Sequence, residues 1–592
     1  MNYLKPNILF FLIINLINLF IVECKLIKIR TISFLKFLER FSISKYFFYK
    51  CGKDVLPFRN KNLINFLIKN KKIWSEIKFK NENLTLVDLT LSHQPLYAIT
   101  NLVIAKEISK INNQDLIALV NQNDLVTKKI AESYGIKKFV YYPENNFIKK
   151  YLYLCKSSLI LKNYKNVNHF LNYKLENIDV GRATYEHYLR HFAKKTPSKI
   201  DFLFNLILSK CLSDLNFSNK IFNNYKIKNF VTNELQFLPN RILMEKALKK
   251  NISIYAKFGG ADENIGIRLY KKFTDRFSVK LKYSKELRNY LIKKHKKKLE
   301  KNIINFFSSE REIKKIGYQY KDTWKGIIKK PEKLKFKNLK EFNNYFGLNH
   351  KKKNILILPH AMADNVFMCE WNIYRTPLEW YVETLKIIKK IHNVNWIINA
   401  HPAEKLHTSK INSRSLLEKE IGKKENIILI ENAHIHKLSS YISAMITCHS
   451  SAGYEYTSLG VPVITSADTR YSEFDITLAP RTKKNYKKIL NNITKLKKVS
   501  KDKIFRAKLY WYLNSNICKI DHPAIPFFDA VRWYDERKFW KTMDKTTNKK
   551  NLTNVNFSKN FKIQIQNSNR HLFDTSVFDK SKKNTKIKLN DA

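Results

Sequence analysis

The residues best suited to chemistry lie between Asn395 and Pro480. The run NWIINAHP ends on His401-Pro402, and AMITCHSSAGYEYTSLGVPVITSAD presents His449, Ser450, Ser451 and Glu455 in close succession. An imidazole donates to a phosphate oxygen and, when protonated, also supplies charge to a leaving group. Two hydroxyls followed by the free N–H groups of a helix start bind phosphate without a metal. Glu455, one turn into that helix, is placed to accept from ribose or sugar hydroxyls. Upstream, ILILPHAMAD offers His360 and Asp364 just beyond another apolar run. Taken singly, Ser450 reads as a helix cap and His401 as a buried loop histidine; taken together they outline a phosphate-binding crevice.

Those residues need strands and helices that bring them to one edge. Each short β-branched run here is followed by small or polar residues and then by a helical pattern, the signature of a parallel α/β sheet. PLEWYVETLKIIKKI is a strong helix with Pro377 at its start and apolar residues at Leu378, Tyr381, Leu385 and Ile388. One helix per strand gives a doubly wound domain over residues 346–530, with its loops gathered at the carboxyl ends of the strands, where ligands bind.

A first α/β domain is expected over residues 80–345. LTLVDLTLSH, DLIALV and KKFVYY read as strands separated by helices, and KIKNFVTNE and ISIYAKFGG extend the series. No GxGxxG follows the first strand, so a dinucleotide site has no support. Gly259-Gly260 with Gly266 lacks the Lys-Ser/Thr pair of a phosphate loop. His93 and Glu234 sit beyond strand ends, where a general base acting on an acceptor hydroxyl would stand; the bland alternatives are a hydrogen-bonded loop histidine and a capping carboxylate. In IDVGRATYEHYLR, Gly181 is expected to end an extended piece before a helix.

At 592 residues the chain is too long for one ordinary core. Its composition, 44% hydrophobic and 13% aromatic, suffices for two. The formal net charge of +60 is spread through a Lys-, Asn-, Ile- and Phe-rich background rather than gathered in a nucleic-acid-binding module, so no nucleic-acid partner is expected. A membrane surface or phosphorylated substrates fit the charge better. Seven cysteines without CxxC or metal-ligand spacing indicate a reducing compartment, and neither a metal nor another cofactor is expected.

Residues 8–22, ILFFLIINLINLFIV, are the most apolar run, but Asn15 and Asn18 interrupt it and it is short for a bilayer span. The basic amphipathic stretch behind it makes residues 1–50 a candidate interfacial anchor on the cytoplasmic face of the inner membrane, the alternative being a helical hairpin packed on the protein itself. Residues 500–543 are Trp- and Tyr-rich and expected to pack as helices; residues 545–592 read as a flexible polar tail.

Four pieces, IDVGRATYEHYLR, LPHAMAD with the following LEW, NAHP, and HSSAGYEYTSLGVPVIT, resemble the bacterial capsule polysaccharide biosynthesis and surface-carbohydrate glycosyltransferase family. The resemblance covers roughly residues 80–520. It implies a GT-B fold, two Rossmann-like domains facing across a cleft that holds the donor, without an obligatory metal. By the same resemblance His401, Pro402, Ser450 and Ser451 would hold the nucleotide of a CMP-linked sugar, while related helix–strand elements serve UDP-sugar enzymes. The family's IDVG piece usually continues with an acidic residue where this chain has Arg182.

These readings converge on a glycosyltransferase that takes a nucleotide-sugar donor and transfers onto a glycan or glycolipid acceptor. Its donor site would comprise His360, His401, Pro402, His449, Ser450, Ser451 and Glu455, and its base would fall among His93, Glu234 and Asp364. A polyol-phosphate transferase, a sugar-nucleotide epimerase and a non-catalytic scaffold of capsule assembly remain the alternatives.

Overall fold

The computed structural model describes residues 13–21, 24, 60–74, 82–91, 95–143, 146–192, 200–258, 266–277, 285–308, 336–362, 366–367, 369–401, 404, 411–430, 439–517, 522, 524–525, 536–552 and 555–566. They divide into two compact units.

The first unit is built on a six-stranded sheet of β1 (Leu84–Asp88), β2 (Asp115–Asn121), β3 (Lys138–Tyr142), β4 (Ile227–Thr232), β5 (Ser253–Phe258) and β6 (Gly266–Tyr270). The order is β3-β2-β1-β4-β5-β6. All pairs are parallel except β5–β6, so Gly266 opens an antiparallel edge strand. Around the sheet lie α1 (Lys61–Trp74), α2 (Pro95–Asn112), α3 (Leu125–Ser133), α4 (Phe147–Leu161), α5 (Val180–Phe192), α6 (Phe202–Asn224) and α7 (Asn240–Lys249). Gly181 is the second residue of α5 rather than the end of an extended piece. A Cβ there would lie 2.2 Å from the carbonyl oxygen of Phe170, so only glycine lets the helix approach that backbone so closely.

The second unit holds β7 (Lys353–Leu358), β8 (Val394–Asn399), β9 (Ile427–Ile430), β10 (Ala444–Thr447) and β11 (Val463–Thr465), all parallel, in the order β11-β10-β7-β8-β9. Its helices are α8 (Lys285–Ser308), α9 (Leu339–Tyr345), α10 (Pro377–Ile388), α11 (Ser413–Glu420), α12 (Ala452–Ser458), α13 (Lys483–Asn491) and α14 (Lys501–Tyr512). Thr376 caps α10 by accepting from the N–H of Glu379, with Pro377 in the first turn as the sequence suggests. Both faces of β7, β8 and β10 are buried, which is why these strands are continuous apolar runs. Both sheets thus carry the 3-2-1-4-5 Rossmann order.

Two boundaries differ from expectation. Residues 285–308 and 336–345, placed above with the first domain, fall in the second unit, where the lysine-dense α8 buries Leu291, Leu299, Ile303 and Phe306. The beginning of the segment expected to be a flexible tail is helical: after α15 (Glu536–Thr546) come a short helix, Lys549–Leu552, and α16 (Val555–Gln566). Their Leu552, Phe557 and Phe561 join Phe539, Trp540 and Met543 in the core of the first unit. No described helix is long and apolar enough to cross a membrane.

Candidate functional site

In the second unit three strands each release a histidine two residues beyond their ends. His360 follows Leu358 of β7, His401 follows Asn399 of β8, and His449 follows Thr447 of β10. Since β7 lies between β8 and β10, the three loops are neighbours. The ring centroids of His360 and His449 are 4.0 Å apart and those of His360 and His401 6.1 Å apart. The gap between β7 and β10 is where the strand order reverses, the place where open α/β sheets bind ligands. His360 and His449 are buried, and His401 is half-buried on the solvent side.

The loops bearing these rings are pinned. The Thr447 hydroxyl donates to the Leu358 carbonyl at 3.0 Å, joining β10 to β7 just below the two histidines. The His401 carbonyl accepts from the Glu404 N–H at 3.0 Å. The Glu404 carboxylate in turn accepts from the Ser413 N–H at 3.1 Å and the Ser413 hydroxyl at 2.6 Å, anchoring the turn to the start of α11.

Beyond His449 the chain turns into α12, a helix of seven residues. Ser451 occupies the position before the helix but its side chain makes no capping bond, while the Ser450 hydroxyl oxygen accepts from the Ala452 N–H at 3.2 Å. Ser450 and Ser451 are half-buried, as is Glu455 in the first turn. The Ser450 carbonyl accepts from the Gly453 N–H at 3.1 Å and from the Tyr471 hydroxyl at 2.7 Å. Burial pushes the Tyr471 phenol far above its ordinary range, so it stays a donor. Tyr471 escapes sequence reasoning because it stands beyond the next strand; the only local trace of it is the glycine at 453, which makes room for its ring.

The matching switch point of the first unit, between β1 and β4, is occupied by Asp88. Its carboxylate accepts from the Thr90 N–H at 3.0 Å, the Thr90 hydroxyl at 2.7 Å, the Thr232 hydroxyl at 2.8 Å and the Asn240 amide. Burial raises its pKa above the ordinary aspartate value, although these hydrogen bonds pull the other way. A charged residue inside the strand run LTLVDLTL is the signal that would have drawn attention to it. Glu234, two residues past β4, accepts from the N–H groups of Gln236 at 2.5 Å and Phe237 at 3.3 Å, which shapes its own loop. The Gln236 amide donates to the buried Glu186 of α5 at 3.0 Å, tying that loop to the motif TYEHY.

The structure therefore gathers His360, His401 and His449, with Ser450, Ser451 and Glu455 following His449 on one turn, and places Glu234 in the other unit. His93, Asp364 and Pro402, like Gly259 and Gly260, lie outside the described residues. Among the described residues no group of three or more His, Cys, Asp and Glu is arranged to hold a metal ion.

No protein-family model and no curated protein matches this chain. Solved structures with some likeness include a beta Kdo 2,4 transferase, KpsC of Thermosulfurimonas dismutans, at 13% identity over 53% of this chain and 88% of that one, TM-score 0.30. The wall teichoic acid polymerase TagF aligns at 12% identity over 83% of this chain and 98% of its own, TM-score 0.21. MnaA of S. aureus, solved with UDP, aligns at 12% identity over 78% and 97%, TM-score 0.23. TM-scores this low leave the activity to be read from the site itself.

Proposed function

We propose that the chain is a glycosyltransferase that moves a sugar from a nucleotide-activated donor, CMP- or UDP-linked, onto a cell-surface polysaccharide or lipopolysaccharide acceptor. The observation that carries this reading is the set of three imidazoles beyond β7, β8 and β10, two of them 4.0 Å apart at the switch point. Ring N–H groups held there by a pinned backbone meet phosphate oxygens at little reorganisation cost. His401, the most exposed of the three, is the group for charge developing on the departing phosphate. The Ser450 and Ser451 hydroxyls add donors, and Glu455 accepts from the ribose. The acceptor hydroxyl gives its proton to a base among His93, Glu234 and Asp364. Transfer of a polyol phosphate is the second reading, because a net charge of +60 suits a donor and an acceptor that are both polyanionic.

The test is a thermal-shift series with CMP-, UDP- and CDP-linked compounds. A ligand at about 100 times its Kd stabilises by about 2.7 kcal/mol, which moves Tm of a domain this size by about 5 to 10 °C. One nucleotide series is expected to give that shift, and His449→Ala to abolish it; a CDP-polyol giving the largest shift selects the second reading. If no nucleotide moves Tm, the donor site assigned here is wrong.

A further inference from the structure

In water an amphipathic helix buries its apolar side chains and exposes its polar ones. Two helical segments of the first unit depart from this in part: they bury Leu19, Leu154 and Leu161, but they also bury polar groups and expose large apolar ones. In residues 13–21, Asn15 is 5% exposed while Ile17 and Phe20 are 52% and 63% exposed. In α4, Ser157 and Ser158 are buried while Ile148, Leu152 and Leu159 are 67%, 60% and 56% exposed. The buried polar groups meet one another. Asn15 Nδ2 donates to Ser158 Oγ at 3.2 Å, Asn205 Nδ2 of α6 donates to the same oxygen at 2.5 Å, and Ser157 Oγ donates to Asn205 Oδ1 at 2.5 Å. Serine and asparagine joining helices on the inside, with aliphatic side chains outside, is how helices pack where the surroundings are lipid.

The exposed residues of α4 recur at intervals of four and seven, so they form one stripe along the helix. Lys149 and Lys156, both exposed, stand on the same side, and no acidic residue occurs between Phe147 and Leu161.

We propose that residues 13–21 and α4 together form a face that seats in the interfacial layer of an anionic bilayer. Ile17, Phe20, Ile148, Leu152 and Leu159 enter the acyl boundary, and Lys149 and Lys156 meet the headgroup phosphates. The charge decides the occupant: across a two-fold contact with a second copy these lysines would face a surface of their own sign, whereas anionic lipid complements them. No described helix is both long and apolar enough to span, and the seating proposed is shallow, on the order of 5–10 Å. This surface is separate from the donor site and extends membrane contact from the N-terminal segment to a helix of the folded unit.

Flotation of the full chain with vesicles of phosphatidylcholine, alone or with phosphatidylglycerol, tests it. The unaltered chain is expected to float with the phosphatidylglycerol vesicles. The triple variant Ile148→Gln, Leu152→Gln, Leu159→Gln, with residues 1–50 intact, is expected to partition at least roughly tenfold less, each side chain having lost its apolar burial. In a separate variant, Leu152→Trp, indole emission is expected to shift to the blue when those vesicles are added. Because the replaced side chains are exposed, Tm should hold in both variants. Flotation of the triple variant at the level of the unaltered chain, or Leu152→Trp emission indifferent to vesicles, overturns the proposal. So does a dimer of the unaltered chain that becomes a monomer in the triple variant while vesicle binding persists, which would make the face a contact between copies.

Discussion

Gly453→Ala sets two effects of opposite sign against each other at the turn that carries Ser450. Gly453 lies inside α12, where alanine is the better helix former by about 1 kcal/mol, so propensity alone predicts stabilisation. Packing predicts the opposite. The new Cβ would lie 1.9 Å from the Tyr471 hydroxyl oxygen and 2.6 Å from its Cζ, so the ring must move. It has little freedom to do so: Tyr471 is fully buried, with the rings of Tyr454 and Tyr510 each 5.7 Å away. Overpacking of this kind costs about 1–3 kcal/mol, and displacing the ring also loses its hydrogen bond to the Ser450 carbonyl, about 1 kcal/mol. After the propensity gain the net loss is about 1–3 kcal/mol, or roughly 3 to 10 °C in Tm. Calorimetry of Gly453→Ala, Tyr471→Ala and the double variant separates the terms. With the ring gone the methyl group has room, so the two effects should fall short of additive by ~1–2 kcal/mol. Donor affinity should drop in Gly453→Ala along with stability, because the same ring holds Ser450. A Gly453→Ala protein as stable as the parent would refute the steric account and with it the role of Tyr471 in shaping the turn.

Three further outcomes are expected. His401→Ala should lower turnover with the selected donor by roughly two to three orders of magnitude, the cost of losing a fixed donor of ~3–4 kcal/mol, with Tm nearly unchanged; Ser450→Ala should act the same way but more weakly, and lost Tm with normal turnover in His401→Ala would mark a structural histidine instead. His522 accepts from the Ala524 N–H at 3.2 Å and lies edge-on to Phe557, and burial, helped by nearby Lys110, pulls its pKa down to about 4. The unfolded chain therefore takes up this proton first, so stability is full above pH ~6.5 and falls by up to ~3 kcal/mol as the pH drops toward 4; urea unfolding across that range should show the loss, and His522→Gln should flatten it. Truncation after Thr547 removes Leu552, Phe557 and Phe561 from the first core and should cost at least ~4 kcal/mol, whereas a chain that unfolds at the parental urea concentration would show these helices to be a dispensable tail.

What the sequence revealed and what it hid have physical reasons. The parallel strands were legible because burial on both faces favours apolar runs, as in ILIL and WII, and because helix starts carry their own marks, such as Pro377. In α8 the buried Leu291, Leu299, Ile303 and Phe306 lie among so many lysines that no apolar stripe stands out. The same masking hid Leu552, Phe557 and Phe561 in a polar stretch whose helices exist because the first core covers that thin apolar stripe. At the site, the histidines were legible because a loop after a strand has a known destination. Tyr471 and Asp88 were not, because each acts through partners distant in the chain: Ser450 for the one, Thr232 and Asn240 for the other.

The two sheets share a strand order but close their switch points in opposite ways. In the second unit the tie between the central strands, Thr447 to Leu358, falls within the sheet, and the residues beyond it are imidazoles. In the first unit the tie is the end of the sheet itself: Asp88, on β1, is saturated by Thr90, Thr232 and Asn240. The lone pairs of a carboxylate so fully engaged are committed to these donors. Asp88 is then a clamp that fixes the loops after β1 and β4. Glu234 stands there, on a turn whose position depends on Thr232 through the hydrogen bond from its own N–H. The second unit thus carries imidazoles at its switch point, while the first closes its own with a carboxylate tied to both flanking loops.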